Sequence, residues 1–240
     1  MKMIYFDCKN GISGDMVLNA LMNLSGKREV IEEVLENEDL HSHDHHIHDH
    51  DHHDGHLRAH GRSWLKVRKL IDHSSFSNDA KQIALNIYQN IAAAEASVHG
   101  ETLETIHFHE VGRDEAIKNA LGIGMALEAI QPDEIMTSSI YDGKGTVVCS
   151  HGEIPVPVPA VMALRTKCTY TFETADVDME MVTPSGLASL MGIKAKPAVK
   201  TLQQFLEDPR VTLIAETEAK GSRNTGRDGL RVYLLDRRDE

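Results

Sequence analysis

The sequence predicts an α/β or α+β fold, a mixed sheet flanked by helices and broken by a disordered insertion rich in His and Asp. Three observations lead there. Apolar stripes at helical spacing alternate irregularly with short β-like runs along the chain. Hydrophobic content of 41% and charged content of 26% are those of an ordinary globular protein. Ten of the fifteen histidines fall between His41 and His60, in a stretch with too little apolar content to pack. At 240 residues the chain can bury a core sufficient for one large or two small domains. Residues 1–40 read as the start of an α/β domain, 41–60 as the insertion and 61–240 as the remainder of the α/β part, with no internal repeat.

Residues 3–6 form a short apolar, partly aromatic run that predicts a buried strand. The loop Lys9 to Gly14 leads into a helix that Ser13 or Asp15 can cap, with Met16, Leu18, Leu21, Met22 and Leu24 as its apolar stripe and Gly26 as its stop. A second short helix carries Val30, Ile31, Val34 and Leu35. After the insertion, Ser63 caps a helix through Ile71, and Ser77 precedes a longer one that ends by Gly100. Residues 105–111 alternate apolar and polar, as a strand or extended loop does, and a helix rich in Ala, Leu and Ile runs from Asp114 to Ala129. From Ile135 the texture turns β-like: a strand Met136–Tyr141, a turn at Gly143-Lys144-Gly145, and a strand Thr146–Cys149. The prolines at 155, 157 and 159 keep that stretch out of a sheet interior. A helix after Pro159, a strand at 168–172, a helix at 184–191 and strands at 211–217 and 230–235 complete the prediction.

Lys plus Arg (25) against Asp plus Glu (37) gives a net charge of −12. That disfavours non-specific adhesion to nucleic acid or to anionic membranes and suits a protein that handles cations. Cys8, Cys149 and Cys168 are too few and scattered for a disulfide framework, which points to a reducing cytoplasm. No window approaches the roughly 18 apolar residues of a membrane span, so the expectation is a soluble, cytoplasmic protein.

The most legible chemistry is that of the insertion. Neutral imidazole is the commonest side-chain ligand of zinc, nickel and copper, and carboxylates add harder oxygen donors. His41, His43, His45, His46, His48, His50, His52 and His53, interleaved with Asp44, Asp49 and Asp51, can therefore wrap a divalent cation in several alternative coordination sets. The alternative is a solvated loop whose histidines bind nothing. In His107-Phe108-His109-Glu110 the two imidazoles of an extended segment share a face, about 7 Å apart along the backbone. Glu110 points the other way unless the chain turns at Gly112; a pair of surface histidines is the plainer alternative.

The exit of the first strand, Asp7 to Asp15, has the strand, glycine loop and helix order that holds anions at a helix N-terminus. It matches neither the P-loop nor the dinucleotide fingerprint. Asp7 and Asp15 repel a bare phosphate but welcome a metal-bound one, and a tight turn is the alternative. Cys8 is either a soft metal ligand or a small buried residue. His151 with Glu153 offers another imidazole and carboxylate, and Thr183-Pro184-Ser185-Gly186 reads as a capped helix start. Arg223 and Arg227, in a glycine-rich loop between two strands, can clamp a phosphate or carboxylate, or simply decorate a solvated hairpin.

Taken in order, Tyr5-Phe6-Asp7-Cys8, Gly11 to Met16, the His-rich insertion, Ala94-Glu95-Ala96, Val98-His99-Gly100, His107 to Gly112, His151-Gly152 with Pro155-Val156-Pro157, and Thr183 to Gly186 resemble the LarC family of nickel insertion proteins across nearly the whole chain. That resemblance implies CTP-dependent insertion of nickel into pyridinium-3,5-bisthiocarboxylic acid mononucleotide, which makes the nickel-pincer cofactor of lactate racemase, a lyase-class chelatase reaction. It implies His107, His109 and Glu110 as ordered nickel ligands and the insertion as reservoir. Asp7, Asp15 and Glu115 become the catalytic carboxylates, and Gly11, Ser13, Gly14, Arg223 and Arg227 the groups that bind the substrate phosphate or nucleotide. Where the family has a motif like Val-Asp-Ser-Ile-x-Asp, this chain has Asp114, Glu115, Ala116, Ile117 and Asn119, so one carboxylate is lengthened, a hydroxyl is lost and a second carboxylate becomes an amide. The family's C-terminal domain, with the CTP site and its Mg²⁺ or Mn²⁺, is expected to be absent here or supplied by a separate subunit. The rival readings are a non-catalytic nickel storage or delivery protein, an inactive truncated paralogue, and a His-rich zinc module.

Overall fold

The computed structural model describes residues 1–40, 61–108, 111–149, 152–221 and 228–238. Strand β1 (Lys2–Asp7) lies at the centre of a five-stranded sheet and is buried on both faces, which is why it reads as an uninterrupted apolar run. Beside it run β11 (Leu230–Arg237), antiparallel, and β4 (Glu134–Thr137), parallel. Outside these lie β10 (Val211–Ala219), antiparallel to β11, and β9 (Lys196–Pro197), parallel to β4, giving the order β10-β11-β1-β4-β9. The sheet is mixed, as expected.

Successive residues of β1 point to opposite faces. Ile4 and Phe6 enter the larger core, beneath the helices α1 (Gly14–Ser25), α4 (Asn78–His99), α5 (Asp114–Ile130) and α7 (Pro184–Gly192). Met3 and Tyr5 enter a smaller cluster closed by Phe205 of α8 (Leu202–Leu206). The larger core joins residues on both sides of the 41–60 stretch, with Leu21 and Leu35 in the same cluster as Val67, Tyr88 and Leu121. Leu35 belongs to α2 (Arg28–Asn37) and Val67 to α3 (Trp64–His73). The expected caps hold: Ser13, Ser63, Ser77 and Thr183 each accept from the backbone N–H three residues on. Gly26 and Gly100 close α1 and α4 in the left-handed conformation.

Several expectations change. The strand expected at 136–141 is two strands, because Ser138 interrupts it. Its N–H donates to the Phe6 carbonyl (2.9 Å) and its hydroxyl accepts from the Cys8 N–H (2.9 Å), after which β5 (Ile140–Lys144) leaves the main sheet. β5 pairs in parallel with β8 (Phe172–Asp178), so the strand expected at 168–172 begins where that expectation ended. Residues just before it are held elsewhere, the Tyr170 hydroxyl donating to the Ala195 carbonyl (2.9 Å). The turn expected at 143–145 starts only after Lys144, since Gly143 lies within the paired strand. Among the described residues of the 105–111 segment, β3 (His107–Phe108) alone forms a strand, pairing with β2 (Arg62–Ser63). Pro155 ends β7 (Gly152–Pro155), which pairs only with β6 (Thr146–Cys149) in a two-stranded ribbon. β9 and α8 had no counterpart in the sequence reading, being two and five residues long. The helix after Pro159 is α6 (Pro159–Arg165). The His/Asp insertion lies outside the described residues.

Candidate functional site

The loop after β1 carries the first half of the site. A turn of 3₁₀ helix at Cys8–Asn10 ends at Gly11, whose φ of +82° is one that residues with a Cβ seldom adopt. Ile12 then joins Val182 in an isolated parallel bridge: the Ile12 N–H donates to the Met181 carbonyl (2.9 Å) and the Thr183 N–H to the Ile12 carbonyl (3.0 Å). This stitch brings Ser13, cap of α1, beside Thr183, cap of α7. It works only because residue 186 is glycine: a Cβ there would lie 2.4 Å from the Ile12 carbonyl oxygen.

The N-termini of two helices thus open on one cleft of about 510 Å³. The first amides of each helix have no partner within their own helix, and the two macrodipoles present positive ends. Around them stand hydroxyls of Ser13, Thr183 and Ser185. The opposite wall is α4, where Glu95 and His99, one helical turn apart, bring Oε2 and Nε2 to 3.4 Å. Asp15, Glu180, Cys149 and Asn119 add further polar groups, while Ile87, Ile91, Val147 and Ile154 supply apolar surface. Such a cleft suits a flat apolar body carrying an anionic group, with carboxylate, imidazole and thiol donors near its rim.

The expected residues separate. Ser13, Gly14 and Asp15 line the cleft, the Asp15 carboxylate accepting from the Ser13 hydroxyl. Gly11 shapes the loop without lining the cleft. Asp7 falls on the other face of the sheet: in β1 it alternates with Phe6 and shares its side with Tyr5 and, across the ladder, Arg231. Its Oδ1 is buried without a hydrogen-bond partner among the described residues, and Oδ2 lies 3.8 Å from Lys9 Nζ. Burial, and then the nearby Asp7 carboxylate, push the Tyr5 hydroxyl up to about 12. Glu115 is exposed in the first turn of α5, while its neighbours Ala116 and Asn119 line the cleft. Cys8 is fully buried and its thiol, pushed up to about 12 by burial, stays protonated at neutral pH, which favours the small buried residue over the soft ligand.

His107 is exposed, and its Nδ1 lies 2.8 Å from the Thr105 carbonyl, an acceptor only; Nδ1 therefore carries the proton and Nε2 the lone pair a metal needs. His109, Glu110, Arg223, Arg227 and the histidines from His41 to His53 lie outside the described residues. Gly221, immediately before the arginine loop, lines the cleft. Among the described residues no group of three or more His, Cys, Asp or Glu converges as a metal site, and no helix is long and apolar enough to cross a membrane. Glu95, His99 and Cys149 were not singled out as site residues from the sequence. The i, i+4 spacing of the first two beside Ile91 was the available signal.

The sequence profile described as nickel insertion protein matches residues 4–234. Among curated relatives, the pyridinium-3,5-bisthiocarboxylic acid mononucleotide nickel insertion protein of Acetivibrio thermocellus is 33% identical over 98% of this chain and 60% of its own length. The protein of the same name from Akkermansia muciniphila is 36% identical over 84% of this chain and 53% of its own length. That of Alkaliphilus metalliredigens is 33% identical, covering 80% and 52%. No solved structure matches. The chain therefore spans about half to three-fifths of the length of these relatives. A match over nearly every residue of this chain, in the order of the motifs that build the cleft, decides its affiliation: the chain belongs to the nickel insertion protein family.

Proposed function

We propose that this chain binds nickel and takes part in its insertion into pyridinium-3,5-bisthiocarboxylic acid mononucleotide, on the route to the nickel-pincer cofactor of lactate racemase. The observation that carries the reading is the meeting of two capped helix N-termini with a carboxylate–imidazole wall in one cleft. The phosphate of the mononucleotide is assigned to the N-termini of α1 and α7, with Ser13, Gly14, Thr183 and Ser185 around it; Arg223 and Arg227, which follow Gly221 in sequence, are its candidate cationic partners. Its pyridinium ring lies against Ile87, Ile91 and Ile154.

Nickel, as substrate, is collected by the histidines of residues 41–60 and by His107, His109 and Glu110, and is offered at the rim near Glu95 and His99. Imidazole and carboxylate hold it less firmly than the sulfur donors of the mononucleotide, so transfer runs toward sulfur. Of the three expected catalytic carboxylates, Asp15 is assigned to the cleft; Asp7 and Glu115 act from outside it. CTP with Mg²⁺ or Mn²⁺, a separate C-terminal subunit and a cytoplasmic setting enter from the family resemblance, and the residues here are assigned to nickel and the mononucleotide alone. The test is a transfer assay on the nickel-loaded chain, following the nickel–sulfur absorption that appears when the mononucleotide is added. His99→Ala and Glu95→Gln should each slow it about ten-fold or more. Unchanged rates in both would move the reaction out of this cleft.

A further inference from the structure

Glu95 and His99 occupy the last turn of α4, four residues apart, so both side chains leave the helix on one face. Their side chains are 20% and 31% exposed and both line the cleft, so a solute there reaches them. Glu95 Oε2 and His99 Nε2 stand 3.4 Å apart. A charge-assisted hydrogen bond between such groups is about 2.7–2.9 Å long. A first-row divalent ion about 2.1 Å from each of two donors separates them by about 3.0 Å at a right angle and about 3.4 Å at the tetrahedral angle. The pair is set too wide for a good hydrogen bond and at the width of two ligands of one ion.

The helix adds to that bias. His99 is the final residue of the 22-residue α4, which Gly100 closes in the left-handed conformation, so carbonyls without a helical partner and the negative end of the macrodipole lie at the pair. The cleft is therefore polarised: the N-termini of α1 and α7 favour an anion, and the C-terminus of α4 with its carboxylate favours a cation. Two protein donors leave most of the coordination sphere of a divalent ion to other ligands. Among the described residues no third His, Cys, Asp or Glu joins them.

We infer that Glu95 and His99 form half of a nickel site that the ring substituents of the bound mononucleotide complete, so that ion and mononucleotide bind in the cleft weakly alone and tightly together. The inference rests on the functional reading above. Ile87, Ile91 and Glu95 follow one another at intervals of one helical turn and all line the cleft, so a ring lying against the two isoleucines brings its acid groups toward the carboxylate–imidazole pair. Those groups then take coordination positions that water otherwise holds. One carboxylate leaves a divalent ion with net positive charge, which an anionic ring substituent neutralises and a neutral one does not. Linkage requires each partner to raise the affinity of the other by the same factor.

The experiment uses the full chain with Ni²⁺ and two mononucleotides that share phosphate, ribose and ring. Nicotinic acid mononucleotide carries a carboxylate on its ring, and nicotinamide mononucleotide a neutral amide. Paramagnetic broadening of the His99 ring signals reports nickel at the pair separately from nickel bound elsewhere, and the backbone amide shifts of Gly14 and Ser185 report each mononucleotide in the cleft. At saturation the acid should lower the nickel midpoint at His99 about five-fold or more, and the amide less than about two-fold. Glu95→Gln should raise that midpoint in the presence of the acid about ten-fold or more, with a thermal midpoint close to wild type. A His99 ring that nickel never broadens with the acid bound, or a Glu95→Gln midpoint equal to wild type, overturns the site. Equal effects of acid and amide, while both shift the Gly14 and Ser185 amides, overturn completion by the ring and leave the functional reading standing. If neither mononucleotide shifts those amides, the functional reading falls and this inference with it.

Discussion

The cleft depends on one carboxylate that does not line it. Asp142, in β5, has a side chain only 2% exposed. Its Oδ1 accepts from the N–H groups of Gly143 (2.9 Å), Met181 (3.2 Å) and Val182 (3.1 Å), and its Oδ2 from Arg165 Nη2 (2.9 Å). Met181 and Val182 are the residues that bridge to Ile12 and hand the chain to the Thr183 cap, so Asp142 holds the α7 half of the anion cradle in place. Replacing it with Ala strands three amides and a guanidinium that is itself mostly buried. An orphaned buried donor costs about 1–3 kcal/mol, and breaking a buried ion pair from one side about 3–5 kcal/mol. These costs overlap, because relaxation that rehydrates Arg165 also frees the amides, so the expected loss for Asp142→Ala is about 4 kcal/mol rather than their sum. Urea unfolding followed by Trp64 fluorescence measures it. Adding Arg165→Met to that variant should recover about 1–2 kcal/mol by removing the stranded charge. A loss below about 1 kcal/mol, or a double variant worse than the single one, would refute the reasoning.

Two further outcomes follow from the same loop region. The Cys8 thiol, raised by burial from its ordinary 9.0 to about 12, keeps its proton in the folded chain at pH values where the unfolded chain has lost it. Stability from the neutral thiol is therefore complete below pH 9 and drains away as pH rises toward 12, at about 1.4 kcal/mol per pH unit. The urea midpoint of the wild type should fall more steeply than that of Cys8→Ala between pH 9 and 11, and parallel curves would show that the thiol does not titrate as its burial demands. Gly11→Ala places a Cβ 2.1 Å from the Met181 carbonyl oxygen at a φ of +82° and should cost roughly 2–4 kcal/mol, read as a drop in thermal midpoint. A change under about 0.5 kcal/mol would mean that the loop and the 181–183 segment do not meet.

Much of the fold was legible because its signals are local. Ser13, Ser63, Ser77 and Thr183 announce helix starts through a side-chain oxygen that needs only the next three residues, and the apolar stripes of α1, α4 and α5 declare which face is buried. The break at Ser138 was not legible. It depends on Cys8 and Phe6, more than 125 residues away, whose backbone groups bond it and turn the chain out of the sheet. The same limit governed the site. Ser13, Gly14 and Asp15 could be placed at a helix start from their own neighbourhood, but nothing local says that Thr183 lies beside them or that Glu95 and His99 line the same cleft.

By itself the sequence determined the alternation of helices and strands, the acidic balance, the concentration of imidazole in residues 41–60 and the family resemblance, since each follows from composition or from spacing over a few residues. Tertiary structure decided which carboxylates share a cavity. Asp7 and Asp15 are eight positions apart and chemically alike, yet the period-two pleat of β1 turns Asp7 to the far face of the sheet, and the Ile12–Val182 bridge brings Asp15 to the cleft beside the second helix N-terminus. Side-chain direction in a strand is fixed by which of its neighbours the sheet buries, and that is settled by contacts between distant parts of the chain.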